Sequence, residues 1–160
     1  MAARVIALLC LALLSACGSS GSLGRRDFPQ PPAGPQGLVT PGPIGDDGCG
    51  NVGNTIYFET DSALLVSEAQ LYLQKQAAWL ICSPQYRVII EGHADERGTR
   101  EYNLALGERR AQAVTKYLIA LGIDPKRLRT ISYGKERPVC TEADETCWSQ
   151  NRRTVTVLDN

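Results

Sequence analysis

The alternation of apolar and polar positions across residues 54–160 predicts four strands and two long helices. Short β-branched and aromatic runs predict the strands at 55–58, 86–90, 128–133 and 152–158. The predicted order is strand–helix–strand–helix–strand–strand. That order predicts an α+β fold of two layers, in which a four-stranded mixed sheet carries helices on one face and its parallel strands are joined by right-handed crossovers.

Each predicted helix has start and stop signals. Ser67 and Gln70 fit a Ser-x-x-Gln capping box, and Pro84 lies just beyond the end of the first helix. Thr99 is the expected N-cap of the second helix, which should stop at Gly122.

The second helix has an arginine on its apolar side. The predicted stripe comprises Tyr102, Leu106, Ala113, Val114, Tyr117 and Leu121. Arg110 follows Leu106 by four residues, and Asn103 shares the same face. An uncompensated buried charge costs roughly 3–5 kcal/mol, so Arg110 needs a partner. Asp95, in the loop before the helix, is the nearest candidate.

Two interpretations of Asp95 and Arg110 follow from this spacing. In the first, they form a structural ion pair that fixes the loop to the helix. In the second, they stand apart and share a zwitterionic ligand, whose ammonium binds Asp95 and whose carboxylate binds the planar guanidinium of Arg110.

Residues 1–16 have the pattern of a signal peptide rather than of a folded element. Arg4 precedes an apolar run at 5–14 that is too short to span a bilayer. The run ends in Leu-Ser-Ala-Cys, which resembles a bacterial lipobox and implies that Cys17 is acylated with a diacylglycerol and an N-acyl chain such as palmitate. Ordinary signal-peptidase cleavage, which would leave an unanchored periplasmic protein, is the alternative.

Residues 17–53 are predicted to be a flexible linker that starts at the lipidated cysteine. Sixteen of the thirty-six positions from 18 to 53 are Gly or Pro, a composition that cannot bury enough apolar surface to fold. The boundaries are therefore 1–16 for the signal, 17–53 for the linker and 54–160 for the folded domain.

Charge and cysteine content restrict the function classes. Seventeen basic residues balance seventeen acidic ones, so no net field favours nucleic acid. Four cysteines of an exported chain allow three disulfide pairings, of which Cys140–Cys147 closes a small ring and leaves Cys49 to pair with Cys82. Zinc is the alternative, but there is no C-x-x-C motif and only one histidine. We predict neither a metal nor another cofactor.

The segment GHADERGTREYNLALGERRA at 92–111 resembles the signature of the OmpA-like peptidoglycan-binding domain, in particular that of the peptidoglycan-associated lipoproteins. The family pattern asks for an Asn, a Leu three residues on and Arg-Ala four further on, and this chain matches it with Asn103, Leu106, Arg110 and Ala111. The resemblance implies that Asp95 and Arg110 hold meso-diaminopimelate of uncrosslinked stem peptides.

Other segments carry the same resemblance. FETDSALL is similar to the family's opening turn, although Glu59 stands where Asp is usual, and SYGKERP and NRRTVTV are similar to later segments. It implies that Thr60 and Asp61 offer backbone N–H groups to the ligand, although Asp61 could equally serve only the turn. Arg152 is a further candidate, whereas Arg153 is expected to face solvent.

The resemblance also implies a cellular role. It implies an outer-membrane lipoprotein of a Gram-negative bacterium whose domain faces the periplasm and tethers the membrane to peptidoglycan. The implied partners are TolB and other Tol components, with a role in cell division and envelope integrity.

Two other functions compete with tethering. Glu91, His93, Asp95 and Glu96 form an acid–base-rich cluster that could serve a glycosidase or a peptidase. No nucleophile or metal-ligand motif accompanies them, so we predict no enzymatic activity and expect His93 to be a hydrogen-bonded structural residue. The third possibility is an interaction domain in which Asp95 and Arg110 only stabilise the fold.

Overall fold

Strands and helices alternate along residues 52–159, the part of the chain that this computed structural model describes. The elements are, in chain order, β1 (Thr55–Tyr57), α1 (Ser67–Cys82), β2 (Val88–His93), α2 (Arg100–Ala120), β3 (Leu128–Gly134), α3 (Glu145–Asn151) and β4 (Arg153–Leu158), with a one-turn 3-10 helix at Pro125–Arg127. The predicted signal peptide, Cys17, Cys49 and nearly all of the linker lie outside the described residues.

The sheet has four strands in the order β1-β4-β2-β3, which confirms the predicted mixed sheet. β2 and β3 run parallel and are connected through α2, whereas β4 runs antiparallel to both β1 and β2. The last strand thus lies between the first two strands. Because β1 and β2 point the same way, the start of β1 and the start of β2 lie toward one end of the sheet.

The alternation along β4 places threonines, not valines, against the helices. Thr154 and Thr156 are buried, while the valines between and beside them are partly exposed. Thr156 Oγ1 donates a hydrogen bond of 3.1 Å to Oε1 of buried Gln76, whose Nε2 donates to the Gly53 carbonyl at 2.7 Å. The hydroxyls are accommodated in the interior because α1 supplies a polar partner.

Two glycines let α2 approach the sheet closely. A Cβ on Gly92 would lie 2.0 Å from the carbonyl oxygen of Gly107, and a Cβ on Gly107 would lie 2.4 Å from Oγ of Ser132. Ser132 Oγ also donates to the Leu104 carbonyl at 2.6 Å. This contact fixes the start of α2 over the ends of β2 and β3.

The helix boundaries confirm most of the predicted signals. The Thr99 side chain accepts a hydrogen bond from the backbone N–H of Tyr102, and Gly122 follows α2 with a φ of 95°. The capping box at Ser67 and Gln70 is wrong. Ser67 lies inside the helix, and the Gln70 side chain donates instead to the Leu65 carbonyl.

The apolar core lies between the helices and one face of the sheet. Its fully buried members include Leu73, Leu80, Val88, Ile90, Val114 and Leu118. Tyr102, predicted to belong to the buried stripe, is 44% exposed. From Val52 to Asp159, no helix has both the length and the apolarity that a membrane span requires.

A disulfide joins Cys140 and Cys147, as the small-ring prediction expected. Cys147 lies in α3, a helix that the sequence pattern did not predict. The Asn151 side chain accepts from the N–H groups of Val139 and Cys140 and donates to the Cys140 carbonyl. Cys82 is also disulfide-bonded, and Cys49, its predicted partner, lies outside the described residues.

Candidate functional site

The predicted site residues lie around one end of the sheet, where β2 finishes. Three other segments meet there: the turn between β1 and α1, the first turn of α2, and α3. We call the end that they form the loop end. Contacts within it connect Asp95, Thr60 and Arg152, and Asp61 joins it through Tyr102.

Asp95 is held by two guanidinium groups. Arg97 donates to it from its backbone N–H, from Nε and from Nη2, the last at 2.7 Å, and Nη1 of Arg152 lies at 3.4 Å. Burial raises the pKa of Asp95, but its bonds to Arg97 and Arg152 more than offset this and hold the pKa below its ordinary value of 3.8. The carboxylate is therefore ionised at neutral pH.

Arg110 is fully buried and bonds only to backbone carbonyls. Within residues 52–159, its hydrogen-bond acceptors are the carbonyls of Ser62 and His93 at 2.8 Å each and of Glu59 at 3.1 Å. The first of the two interpretations, a direct ion pair between Arg110 and Asp95, is wrong, because Asp95 pairs with Arg97 and Arg152 instead. Burial lowers the pKa of Arg110 to about 10, partly offset by the attraction of Asp95, so the side chain stays charged at neutral pH.

The turn from Glu59 to Ser62 is held by the Arg110 guanidinium, which donates to the carbonyls at both ends of the turn. Asp61 adopts a φ of 52°, and its carboxylate accepts a hydrogen bond from the hydroxyl of Tyr102. Within residues 52–159, the backbone N–H groups of Thr60 and Asp61 have no hydrogen-bond acceptor. Successive free N–H groups in such a turn, close to a cation, are suited to binding an anion.

Asn103 positions the loop that carries Asp95. Its buried Nδ2 donates to the Arg97 carbonyl at 2.8 Å. From the other side, Nζ of Lys135 donates to the carbonyls of Glu96 and Gly98. Leu106, the remaining candidate on α2, is 5% exposed and belongs to the interior.

Sequence reasoning missed Arg97, Glu145 and Trp148. The Arg97 guanidinium lies 4.3 Å from the centre of the Trp148 ring, and the indole Nε1 donates to Glu96 at 3.0 Å. Glu145 accepts from Arg152 at 2.5 Å and lies 3.7 Å from Nη1 of Arg97. A tryptophan in a polar run was the only local signal, since α3 itself was not predicted.

Arg152 connects three parts of the loop end. Its Nε donates to the Phe58 carbonyl, and its two terminal nitrogens contact Asp95 and Glu145. With 5% of its surface exposed, it is a buried bridge rather than a free surface cation.

The acid–base-rich cluster does not assemble as one site. Glu91 and His93 lie 3.9 Å apart and contact Tyr133 on the sheet face away from α2, whereas Asp95 is held by its arginines. His93 is 2% exposed, and in the described part of the chain its ring nitrogens make no hydrogen bond, which corrects the expected hydrogen-bonded histidine. Burial, followed by the charges of Arg153 and Arg137, lowers its pKa to about 3.

Arg153 also differs from expectation. It is 7% exposed and donates to the Arg137 carbonyl at 3.3 Å, so it does not face solvent. Among the described residues, no three His, Cys, Asp or Glu side chains are grouped in a way that could hold a metal ion.

Comparison with known proteins identifies the family. A model described as the OmpA family matches residues 57–152, more than half of the chain. A peptidoglycan-associated lipoprotein of Rhizobium meliloti is 50% identical over 92% of this chain and 85% of its own length, and one of Brucella melitensis is 50% identical over 94% and 91%. The crystal structure of the peptidoglycan-associated lipoprotein from Burkholderia pseudomallei aligns with a TM-score of 0.65 at 43% identity, covering 66% of this chain and 90% of that one. The chain therefore belongs to the OmpA family and, within it, to the peptidoglycan-associated lipoproteins.

Proposed function

We propose that this chain tethers a membrane to the cell wall without a covalent bond to the wall. An acylated Cys17 would hold the membrane, and the loop end would bind peptidoglycan through meso-diaminopimelate of stem peptides. The observation that carries this proposal is the ionised Asp95 beside a turn that has free N–H groups and whose carbonyls accept hydrogen bonds from Arg110. The names of the relatives and the lipobox-like sequence before Cys17 support it.

The ligand's amino-acid end can use both charges of the loop end. Its ammonium would bind Asp95, and its carboxylate would bind the N–H groups of Thr60 and Asp61 within the field of Arg110. In this arrangement the fully buried Arg110 acts by supporting the turn and by its charge, and direct contact with the ligand is not required.

An arriving ammonium must replace part of the present coordination of Asp95. Arg97 is the group best placed to leave, because its side chain is 38% exposed while that of Arg152 is 6% exposed. Trp148 and Glu145 offer the released guanidinium a ring face and a carboxylate. The exchange keeps Arg97 paired, so the cost of opening the site is limited.

The expected affinity per site is modest. Each charge-assisted hydrogen bond contributes about 1.5–3 kcal/mol, and part of that gain is offset by displacing Arg97. Many copies on one membrane would supply strong attachment through avidity, while each single contact stays reversible. A reversible contact is suited to a wall that grows.

The wider role follows from the same proposal. We place the protein in the outer membrane of a Gram-negative envelope, with its domain in the periplasm, as a non-enzymatic part of a Tol system that includes TolB and supports cell division and envelope integrity. These partners come from the family resemblance.

Binding to purified sacculi tests the proposal. The wild type should co-sediment with sacculi, and Asp95→Asn should lose at least about ten-fold in affinity, since one charge-assisted bond of about 1.5–3 kcal/mol is removed. Asp124→Asn, which changes an exposed acid outside the loop end, is the matched control. A soluble stem peptide with meso-diaminopimelate should compete, and one with lysine in its place should not.

Three results would contradict the proposal in different ways. A wild type that does not sediment removes wall attachment altogether. Full binding by a folded Asp95→Asn variant removes Asp95 from the site and leaves the loop end a structural feature. Release of soluble muropeptides would support the alternative function, an enzyme.

A further inference from the structure

The end of the sheet opposite the loop end carries a basic cleft of ≈ 330 Å³. It lies where β2 and β3 begin. Its lining residues are Arg87, Pro125, Lys126, Arg127, Leu128, Arg129 and Asp159. Four of these seven side chains are cationic and one is anionic. We call this end the basic end.

Three of the four cations are available to a ligand. Nζ of Lys126 has no partner within residues 52–159, and Arg87 donates only to the Lys126 carbonyl, at 3.2 Å. The Arg129 side chain is 61% exposed, and its Nη1 lies 3.8 Å from Oδ1 of Asp159. These groups can therefore bind oxygen acceptors without breaking strong internal bonds.

The fourth cation holds the cleft in shape. Arg127 donates from Nε to the Tyr86 carbonyl and from Nη2 to the Ser83 carbonyl, both at 2.9 Å. It thereby connects the loop after α1 to the 3-10 helix that carries Lys126. Lys126 therefore lies on a segment that is hydrogen-bonded to the rest of the fold, rather than on a free loop.

The first described strand starts on the side of the domain where this end lies. β1 runs antiparallel to β4, and the Asn54 carbonyl accepts from the Thr156 N–H, so the chain traced backwards from Tyr57 runs alongside β4 toward Leu158. The loop end lies in the other direction. β1 therefore begins toward the basic end and finishes toward the loop end.

The two ends also differ in charge. The loop end carries exposed charges of both signs, with the cations Arg97 and Arg100 beside the acids Glu59, Asp61, Glu96, Glu142, Asp144 and Glu145. Although the whole chain has a formal net charge of zero, the basic end has an excess of cations, since its four cationic side chains outnumber Asp124 and Asp159. A negatively charged surface would orient such a domain with its basic end toward that surface.

We propose that the basic end is a docking surface for the phosphate groups of anionic phospholipids. Arg87, Lys126 and Arg129 would bind phosphate oxygens, which accept hydrogen bonds from guanidinium and ammonium groups. The docked domain faces its loop end away from the membrane, toward the wall. This inference rests on the proposed lipid anchor at Cys17 and adds an orientation to it.

The tether makes a weak interaction sufficient. Three accessible cations give little affinity to a free protein, because each is screened within about 10 Å at moderate salt. A domain joined to the same membrane by a flexible linker meets the headgroups at a high effective concentration. Docking is then a fast equilibrium that salt weakens and the wall can compete with.

The test uses the full mature chain with its lipid, in nanodiscs that contain spin-labelled headgroups. Mass spectrometry of the acyl groups confirms the anchor, and sacculus binding by the same preparation tests the proposed function separately. With phosphatidylglycerol in the disc, the spin labels should broaden the backbone amide NMR signals of Arg87, Lys126 and Arg129 more than those of Arg97 and Gly98. The difference should disappear in discs of phosphatidylcholine alone and at high salt.

A matched pair of variants isolates the surface. Lys126→Gln should lower the ratio of docked to free domain about five-fold, the factor for one basic residue at an anionic membrane. Arg109→Gln, which removes an exposed cation from the middle of α2, should leave the ratio unchanged. Equal broadening at both ends, or the same pattern with neutral lipid, would overturn the proposal. So would saturation of the same amides by millimolar inorganic phosphate, which would identify a site for free anions.

Discussion

Arg110 satisfies its charge through neutral groups. Its three carbonyl partners come from the end of β2 and from the turn after β1, so one side chain joins these two segments to α2. The position of Arg110 on the apolar side of α2 indicated that its charge needs a partner. It did not indicate whether the partner is a carboxylate or a set of carbonyls. Carbonyl dipoles compensate the charge and leave Asp95 free to pair elsewhere.

Replacing Arg110 with Met should lower the free energy of unfolding by roughly 3 kcal/mol. Each buried acceptor left without a donor costs about 1–3 kcal/mol, and three carbonyls lose theirs. Urea unfolding of Arg110→Met measures the loss. Arg109→Met, at the exposed neighbouring position, should change stability by less than about 0.5 kcal/mol. Equal stability of the two variants would contradict the role assigned to Arg110.

His93 should remain neutral far below its ordinary pKa. It is buried against Tyr133 with Arg153, Arg137 and Glu91 facing it, and its pKa falls from 6.5 to about 3. As the pH falls, the unfolded chain takes up the proton first. The contribution of His93 to stability is therefore complete above pH 6.5 and is lost as the pH falls toward 3.

Two measurements check this pH dependence. His93 is the only histidine, so its imidazole NMR signals can be followed directly and should not shift between about pH 7.5 and 4.5. In His93→Phe, the fall of unfolding free energy over the same range should become shallower. Asp95 does not obscure the result, because its pKa lies below 3.8. A titration of the folded protein near pH 6.5 would refute the burial argument.

At the scale of elements, the short distance between α2 and β2 depends on the glycine pair Gly92 and Gly107. Gly92→Ala should cost about 3 kcal/mol or more, because the new Cβ would lie 2.0 Å from the Gly107 backbone oxygen and neither element can move alone. Gly122→Ala is the control. Its φ of 95° is strained for alanine, but no atom lies within 4 Å, so about 1–2 kcal/mol is expected. Chemical denaturation of both variants should give this order, and the reverse order would contradict the close approach.

The disulfide of α3 should matter for binding as well as for stability. Closing a loop with a sequence separation of 7 is worth about 2.4 kcal/mol in the chain-entropy treatment. Cys140→Ser with Cys147→Ser should lose that amount in urea unfolding. It should also weaken sacculus binding, because α3 carries the Glu145 and Trp148 side chains that contact Arg97.

A stability control separates the two effects of this disulfide. Gly122→Ala is destabilised without a change at the loop end and should bind sacculi like the wild type. If the double serine variant binds as tightly as Gly122→Ala while still folded, α3 does not position the site.

At the scale of the whole molecule, the two ends of the sheet should act independently. Lys126→Gln should leave sacculus binding unchanged, and Asp95→Asn should leave membrane docking unchanged, because the sites share no contacts and lie at opposite ends. The double variant should show the sum of the two single effects in co-sedimentation and in nanodiscs. A loss of wall binding in Lys126→Gln would mean that the ends are coupled.

The sequence predicted the features that depend on near neighbours. The strands, the extent of α2, the Thr99 cap and the stop at Gly122 follow from spacings of a few residues. The Cys140–Cys147 pairing is equally local. The sequence also indicated the region of the site, since Asp95 and Asn103 come from adjacent segments.

Only the tertiary structure decided which distant groups meet. The carbonyl partners of Arg110 at Ser62 and Glu59 are 48 and 51 residues away, and Arg152 reaches Asp95 over 57. The insertion of β4 between β1 and β2 creates these meetings and buries Arg153 and His93. Periodicity reports which face of an element is apolar, whereas the partner of a buried charge depends on the order of strands in the sheet.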